Sequence, residues 1–297
     1  MTGLDLQSLL GLSVIAAVIS TLGALTGVVI KDFYFSRSFD AWKRKQDQDQ
    51  VYQKFRDPLL VAAMELVSRL HEVISSHPAP FLHSSLLETI PSRQLENSDS
   101  DPYYLRYKLI STIYRFCCFF GWLELYRQEL TFLKSESDPQ AEALERVLYA
   151  IRSDVADGEV NNHPDWERWH DILIFREELR AIGESMIDDR GEVRAVVGYG
   201  KFCELVDAPE SNRVKHWAGV AMNFLLDPQT EPRDFRRMRE MRLVVHLAYL
   251  IELLRPSALR KHFRDARQEY LNCEDAWTLE RSRSEQQDKH AIDVVTM

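Results

Sequence analysis

"GLSVIAAVISTLGALTGVVIKDFYFSRS", residues Gly11 to Ser38, carries no charged side chain until Lys31 and then turns aromatic and basic. The uncharged run extends from Leu9 to Ile30, 22 residues. As a helix it would be roughly 33 Å long, against about 30 Å of bilayer hydrocarbon. Twelve of these residues are Leu, Ile or Val. At roughly −0.3 to −0.6 kcal/mol each at the membrane centre, they outweigh the small cost of Ser13, Ser20, Thr21 and Thr26. A buried core helix is usually shorter and keeps a polar stripe. A cleaved signal peptide needs a basic leading region, whereas the only charged side chain ahead of the run is Asp5. The stretch therefore predicts a single N-terminal transmembrane helix over residues 9–30, preceded by a short extracytoplasmic N-terminus, residues 1–8.

The flanks set an orientation. Lys31, Arg37, Lys43, Arg44 and Lys45 all follow the run, and no Lys or Arg precedes it. The positive-inside rule then predicts a cytoplasmic body and a single-pass protein of the cell membrane. Phe33, Tyr34, Phe35 and Trp42 suit the membrane interface, so residues 31–56 read as a basic, aromatic juxtamembrane segment. Four cysteines, Cys117, Cys118, Cys203 and Cys273, form no C-x-x-C pair and no disulfide framework, which suits a reducing compartment. Within the run, Ala16, Ser20, Gly23 and Gly27 fall on one helical face. Small residues at that spacing let a second copy of the helix approach closely, so this face is a candidate for homo-oligomerisation.

The remaining residues read as all-α: an irregular helical bundle over residues 57–277 and a disordered tail at 278–297. Asp57-Pro58, Asp101-Pro102 and Asp138-Pro139 each pair an N-cap with proline at the first helical position. Asp227-Pro228 opens a short loop instead. Apolar stripes of helical period follow: Leu59 to Ile74, Leu144 to Val155, Ile172–Phe175–Leu179–Ile182–Met186, and Phe235 to Ala248. The segment Tyr107–Leu130 is apolar nearly all round, which marks a central helix. Its longest uncharged run, Phe116 to Leu123, is too short to cross a bilayer. Residues Ser75 to Pro102 are long and proline-rich for a connection and suggest a lid or binding loop.

The segments "VYQKFRDPLLVAAMELVSRLHEVI", "FFGWLELYRQELTFL", "FREELRAIGESMI" and "VVGYGKF" together resemble an uncharacterised group of bacterial proteins with helical, partly membrane-anchored bodies. The resemblance covers most of Val51 to Phe202 and implies a bacterial helical protein. It brings no activity, cofactor or catalytic residue.

Chemistry is sparse. Val197-Gly198-Tyr199-Gly200 imitates a potassium-channel filter, but the residue before it is Val196 and neither flank is a span. His71, His77 and His83 fit no zinc spacing; His163 and His170, near Asp165, Glu167 and Asp171, read as an acidic helix start. No phosphate loop, H-E-x-x-H or G-x-S-x-G is present. Neither a metal nor a cofactor is expected, and the lack of a motif weighs against an enzyme. A net charge of −9 argues against bulk nucleic-acid binding. The cluster Arg233, Arg236, Arg237, Arg239 and Arg242 leaves lipid headgroups, RNA and plain solvent as its possible surroundings.

The remaining polar constellation is Arg176, Glu177, Arg180 and Glu184, read as a charged pocket or as a salt-bridged helix face. The leading functional expectation is a membrane-tethered helical adaptor or sensor that binds a cytoplasmic protein partner. A second is an enzyme or small-ligand sensor using the pocket around Arg176–Glu184. A third, a membrane-associated defence or toxin effector, fits the architecture without a feature of its own.

Overall fold

Twenty-five consecutive residues without a charge wind into α1 (Leu6–Ile30). The structure is a computed structural model and describes residues 6–30, 36–75, 80–82, 102–130, 139–156, 174–191, 193–226 and 235–272. The chain divides into two compact units, Met1–Tyr52 with Leu130–Glu136, and Gln53–Glu129 with Ser137–Met297. In the first unit, Val14, Ile19 and Leu22 of α1 are exposed, and a Cβ added at Gly23 or Gly27 would meet nothing within 4 Å. Ala16 and Ser20, the rest of that small face, are exposed too. Among the described residues no helix is long and apolar enough to cross a membrane. The transmembrane helix expected over 9–30 is thus present as a helix and not as a demonstrated span. Lys31, Phe33, Tyr34 and Phe35, with the side chains of Arg37, Arg44 and Lys45, lie outside the described residues; Trp42 and Lys43 are exposed.

One helix boundary differs from expectation. Asp57-Pro58 does not start a helix: α2 runs through it from Ser36 to Ser75 with Pro58 inside. Burial on both sides of the proline overrides the lost hydrogen bond. Phe55, ahead of it, is 2% exposed and meets Trp122 and Tyr126 edge-on at 6.4 and 6.0 Å, while Leu59 and Leu60 behind it are also buried. Asp57 accepts instead from Arg255 Nη2 at 2.8 Å. α3 spans Pro102–Leu130 and α4 Pro139–Ala156, while Asp101 and Asp138, the expected caps, lie outside the described residues. Of the Ser75–Pro102 connection, only the 3-10 turn Pro80–Leu82 is described, and its Phe81 and Leu82 are buried. The Asp227-Pro228 loop and the tail at 278–297 lie outside the described residues.

The second unit is helix on helix around α3. Leu109, Ile113, Phe116, Cys117, Phe119 and Leu125 are each at most 1% exposed and point in every direction round the helix axis. α5 (Arg176–Ser185) follows, then a hairpin of β1 (Ile187–Asp188) and β2 (Ala195–Val196). The strands are antiparallel, with Ile187 opposite Val196 and Asp188 opposite Ala195. Val197 N–H donates to the Met186 carbonyl at 2.8 Å and extends the ladder. α6 (Tyr199–Asp207), α7 (Arg213–Leu225), α8 (Phe235–Leu254) and α9 (261–272) complete it. α4 packs on α8 and α5, and α7 on α5 and α6.

The predicted stripes are mostly core. Leu144, Leu148, Ile151 and Val155 are buried, as are Met238, Met241, Val245 and Ala248. Phe175 breaks its stripe at 55% exposure, because it stands before the first turn of α5 rather than within it. There its N–H donates to Glu178 Oε2 at 2.9 Å, satisfying one otherwise orphaned helix-end donor.

Two glycines of the unit are required by contact. A Cβ at Gly183 would lie 2.6 Å from the Phe120 carbonyl oxygen and 2.8 Å from Glu124 Cβ; one at Gly121 would lie 2.9 Å from Met186 Cβ. Gly183→Ala should therefore push α5 off α3 and cost about 1–3 kcal/mol. Gly219→Ala, inside α7 with nothing within 4 Å of the new methyl, should stabilise by about 0.5–1 kcal/mol. Thermal melts of the two variants are expected to shift in opposite directions.

α9 docks on α2 through His71. Its Nδ1 lies 3.0 Å from the Tyr270 hydroxyl, and Phe263 meets the ring edge-on at 5.9 Å. Burial, and then the neighbouring His262, hold the His71 imidazole below its ordinary value, with Glu269 pulling the other way. The undocked state thus binds the proton better. Docking should be complete above about pH 6.5 and weaken as pH falls below it. Hydrogen exchange in α9, corrected for intrinsic rate, should quicken below that point and stay constant above it.

Candidate functional site

Where α3, α4 and α5 meet, each turns a face of i, i+3 and i+4 residues toward one cleft of about 260 Å³. α3 supplies Phe120, Leu123, Glu124 and Arg127; α4 supplies Tyr149, Arg152 and Ser153; α5 supplies Arg176, Leu179 and Arg180. Phe120, Leu123 and Leu179 are buried and form an apolar floor. Among the described lining residues, four arginines accompany one carboxylate, Glu124.

That carboxylate is committed. Glu124, with its side chain 4% exposed, receives Arg127 Nε at 2.7 Å and Nη2 at 2.5 Å, plus Gln128 Nε2 at 2.7 Å. The fork-on-fork geometry holds the Arg127 guanidinium above its ordinary pKa. A chain of contacts leads away from it: Gln128 Oε1 accepts from Arg194 Nη2 at 2.5 Å, and Arg194 Nε donates to Asp189 at 2.9 Å. The cleft is thereby wired to the turn of the hairpin. Arg176 lies over the Tyr149 ring at 5.8 Å and its Nη2 is 3.4 Å from the hydroxyl. Arg152 has Glu145 only at 4.0 Å, and Arg180 is exposed with no ion pair among the described residues.

Of the four residues read as a pocket from sequence, the structure brings Arg176 and Arg180 to the cleft. Glu177 and Glu184 are exposed and do not line it. Glu177 is one residue round the helix, and Glu184 lies a turn past Arg180, beyond Gly183. Glu124, Arg127, Tyr149 and Arg152 escape a reading by local pattern, since they sit on two other helices.

The other candidates resolve differently. Val197-Gly198-Tyr199-Gly200 is the turn from β2 into α6, with Gly198 as N-cap at φ −73°; neither glycine closely approaches another element. The arginine cluster turns inward onto carbonyls. Arg237 Nη2 donates to Ile74 at the end of α2 (3.3 Å), Arg239 Nη1 to Val155 at the end of α4 (2.8 Å), and Arg236 to Leu226 just after α7. Arg242 faces Asp154 at 3.5 Å beside His246 at 2.6 Å. Arg233 lies outside the described residues. Cys117 and Cys118 are buried free thiols, and burial pushes Cys118 up to about 11, well away from a nucleophilic thiolate. His77, His83, His163 and His170 lie outside the described residues, among which no group of three His, Cys, Asp or Glu is arranged to hold a metal.

No protein-family model matches the chain, and neither a curated protein nor a solved structure is significantly similar to it. Function therefore rests on the site itself. Glu124→Gln keeps the side chain's shape and removes its charge. It should cost about 1–2 kcal/mol, discounted for the partial exposure of Arg127, and should loosen the Arg194 contact. A denaturation midpoint equal to wild type would show that the pair holds nothing together.

Proposed function

We propose that this chain is a membrane-tethered helical sensor whose cleft between α3, α4 and α5 binds a small anionic ligand. The observation that carries the reading is the convergence of Arg127, Arg152, Arg176 and Arg180, with Glu124, on one concave site with an apolar floor. Concave sites with an apolar lining and a few convergent polar groups are where small ligands bind. The chain's overall charge of −9 makes a local excess of cations at one cleft the more pointed. The contacts from Glu124 through Gln128 and Arg194 to Asp189 supply a way for occupancy to reach the surface.

The tether is the other half of the proposal. An uncharged helix from Leu6 to Ile30, followed by Lys31, Arg37 and the Lys43–Lys45 cluster, supports insertion with the body on the cytoplasmic side. The open Gly23 and Gly27 positions support pairing of two such helices. The protein-adaptor and effector expectations have no comparable observation among the described residues.

One preparation tests both halves. Full-length chain should fractionate with membranes and resist carbonate washing. Extracted in mild detergent, it should give saturable heat on titration with naphthalene-2-sulfonate, a flat organic anion. The double variant Arg176→Ala and Arg180→Ala should bind at least about tenfold more weakly with unchanged circular dichroism. Equal affinity in the variant would remove the cleft from the proposal, and recovery in the soluble fraction would remove the tether.

A further inference from the structure

We propose that His246 is a phosphoryl-accepting nucleophile, oriented by buried Asp154 to take a phosphoryl group from a phosphoramidate donor. The pair lies where α4 packs on α8, and it works whether or not the cleft binds a ligand. Asp154 is a carboxylate almost wholly inside the protein, its side chain 1% exposed. His246 Nδ1 lies 2.6 Å from Asp154 Oδ2. A carboxylate offers only acceptors, so Nδ1 carries the hydrogen and the lone pair of the neutral ring sits on Nε2. Nε2 has no hydrogen-bond partner among the described residues. The His246 side chain is 26% exposed. Its Nδ1 edge is turned to the buried carboxylate, which leaves the Nε2 side of the ring for an incoming group.

The surroundings favour an anionic electrophile. Arg242, one turn earlier on α8, faces the same carboxylate through Nε at 3.5 Å, and its side chain is 33% exposed. Tyr249, one turn later, has its ring centroid 6.4 Å from the imidazole, and Arg267 of α9 lies over that ring at 4.6 Å. Glu252 accepts from Arg267 at 2.6 Å and answers part of its charge. A phosphoryl group arriving at Nε2 therefore meets a rim that carries two guanidiniums, the side chain best matched to phosphate oxygens. In the step, the Nε2 lone pair attacks phosphorus. The new N–P bond forms as the donor's P–N bond breaks, and the donor's protonated nitrogen leaves as ammonia with that electron pair. No proton has to be taken from Nε2. The product ring is a phosphoimidazolium that keeps its Nδ1 hydrogen, and the Asp154 carboxylate balances its positive charge. Asp154 is thus a positioning residue.

The test is to incubate the full-length chain in detergent with potassium phosphoramidate at about pH 8, where free imidazole is uncharged, and to map phosphorylated peptides by mass over time. His216, exposed on α7, is the internal control. His246 should be phosphorylated at least about tenfold faster than His216, although it is the less exposed of the two. Asp154→Asn keeps the side chain's shape and removes its charge. The His246 rate should then fall at least about tenfold, with the His216 rate unmoved. Nitrogen-15 spectra give a readout that a mere helix contact would not move: the His246 hydrogen on Nδ1 in the wild type and mostly on Nε2 in the variant. A His246 rate no greater than that of His216, or hydrogen on Nε2 in the wild type, would overturn the proposal, and both are read without the variant. An unchanged His246 rate in folded Asp154→Asn would overturn the role of Asp154.

Discussion

The approach of Gly183 to the backbone of α3 is the contact on which the site depends. With no side chain on Gly183, α5 lies against the Phe120 carbonyl and the Glu124 side chain. That distance fixes where Arg176 and Arg180, two turns and one turn earlier on α5, stand relative to Glu124 and Arg127. Gly121 does the same service for the segment that follows, seating Met186 and Val196 against α3. The central helix is thus approached closely at two neighbouring positions. The cleft is a by-product of how closely its neighbours come: a wider separation would leave three charged helix faces and no concavity.

Arginine performs two separate tasks in this protein, and composition does not distinguish them. Arg236, Arg237 and Arg239 hydrogen-bond to carbonyls at or just beyond helix ends, where the helix dipole favours a cation and four acceptors lack partners. Arg56 does likewise at Leu254, the end of α8. The arginines of the cleft face one another and an apolar floor. The arginine run from Arg236 to Arg242 turns out to be structural, and the arginines that line the cleft are dispersed over three helices.

The fold was largely legible in the sequence because it is written in a period of 3.6 residues. The stripes at Leu59–Ile74 and Leu144–Val155 and the all-round apolar helix at Tyr107–Leu130 each announce their own burial. What was illegible depends on tertiary partners. Pro58 reads locally as a helix start, and only the burial of Phe55 with Leu59 and Leu60 carries α2 through it. Phe175 continues the apolar spacing of α5, yet it stands outside the helix. Half of the site was visible, Arg176 and Arg180 by their spacing. Nothing local marks Glu124, Arg127, Tyr149 and Arg152 as their companions, since that pairing is created when three helices meet.

The arginine caps have a consequence for how the body assembles. Arg56 reaches a carbonyl 198 residues away, Arg237 one 163 away and Arg239 one 84 away. The ends of α2, α4 and α8 each thus gain a capping donor from a residue far away in the chain. A nascent chain emerging from the ribosome holds α2 and α4 with frayed ends until α8 has been synthesised. Long-range closure of this kind slows folding, and it binds the three helix termini into one cooperative unit: the body cannot lose α8 without releasing the ends of the other two.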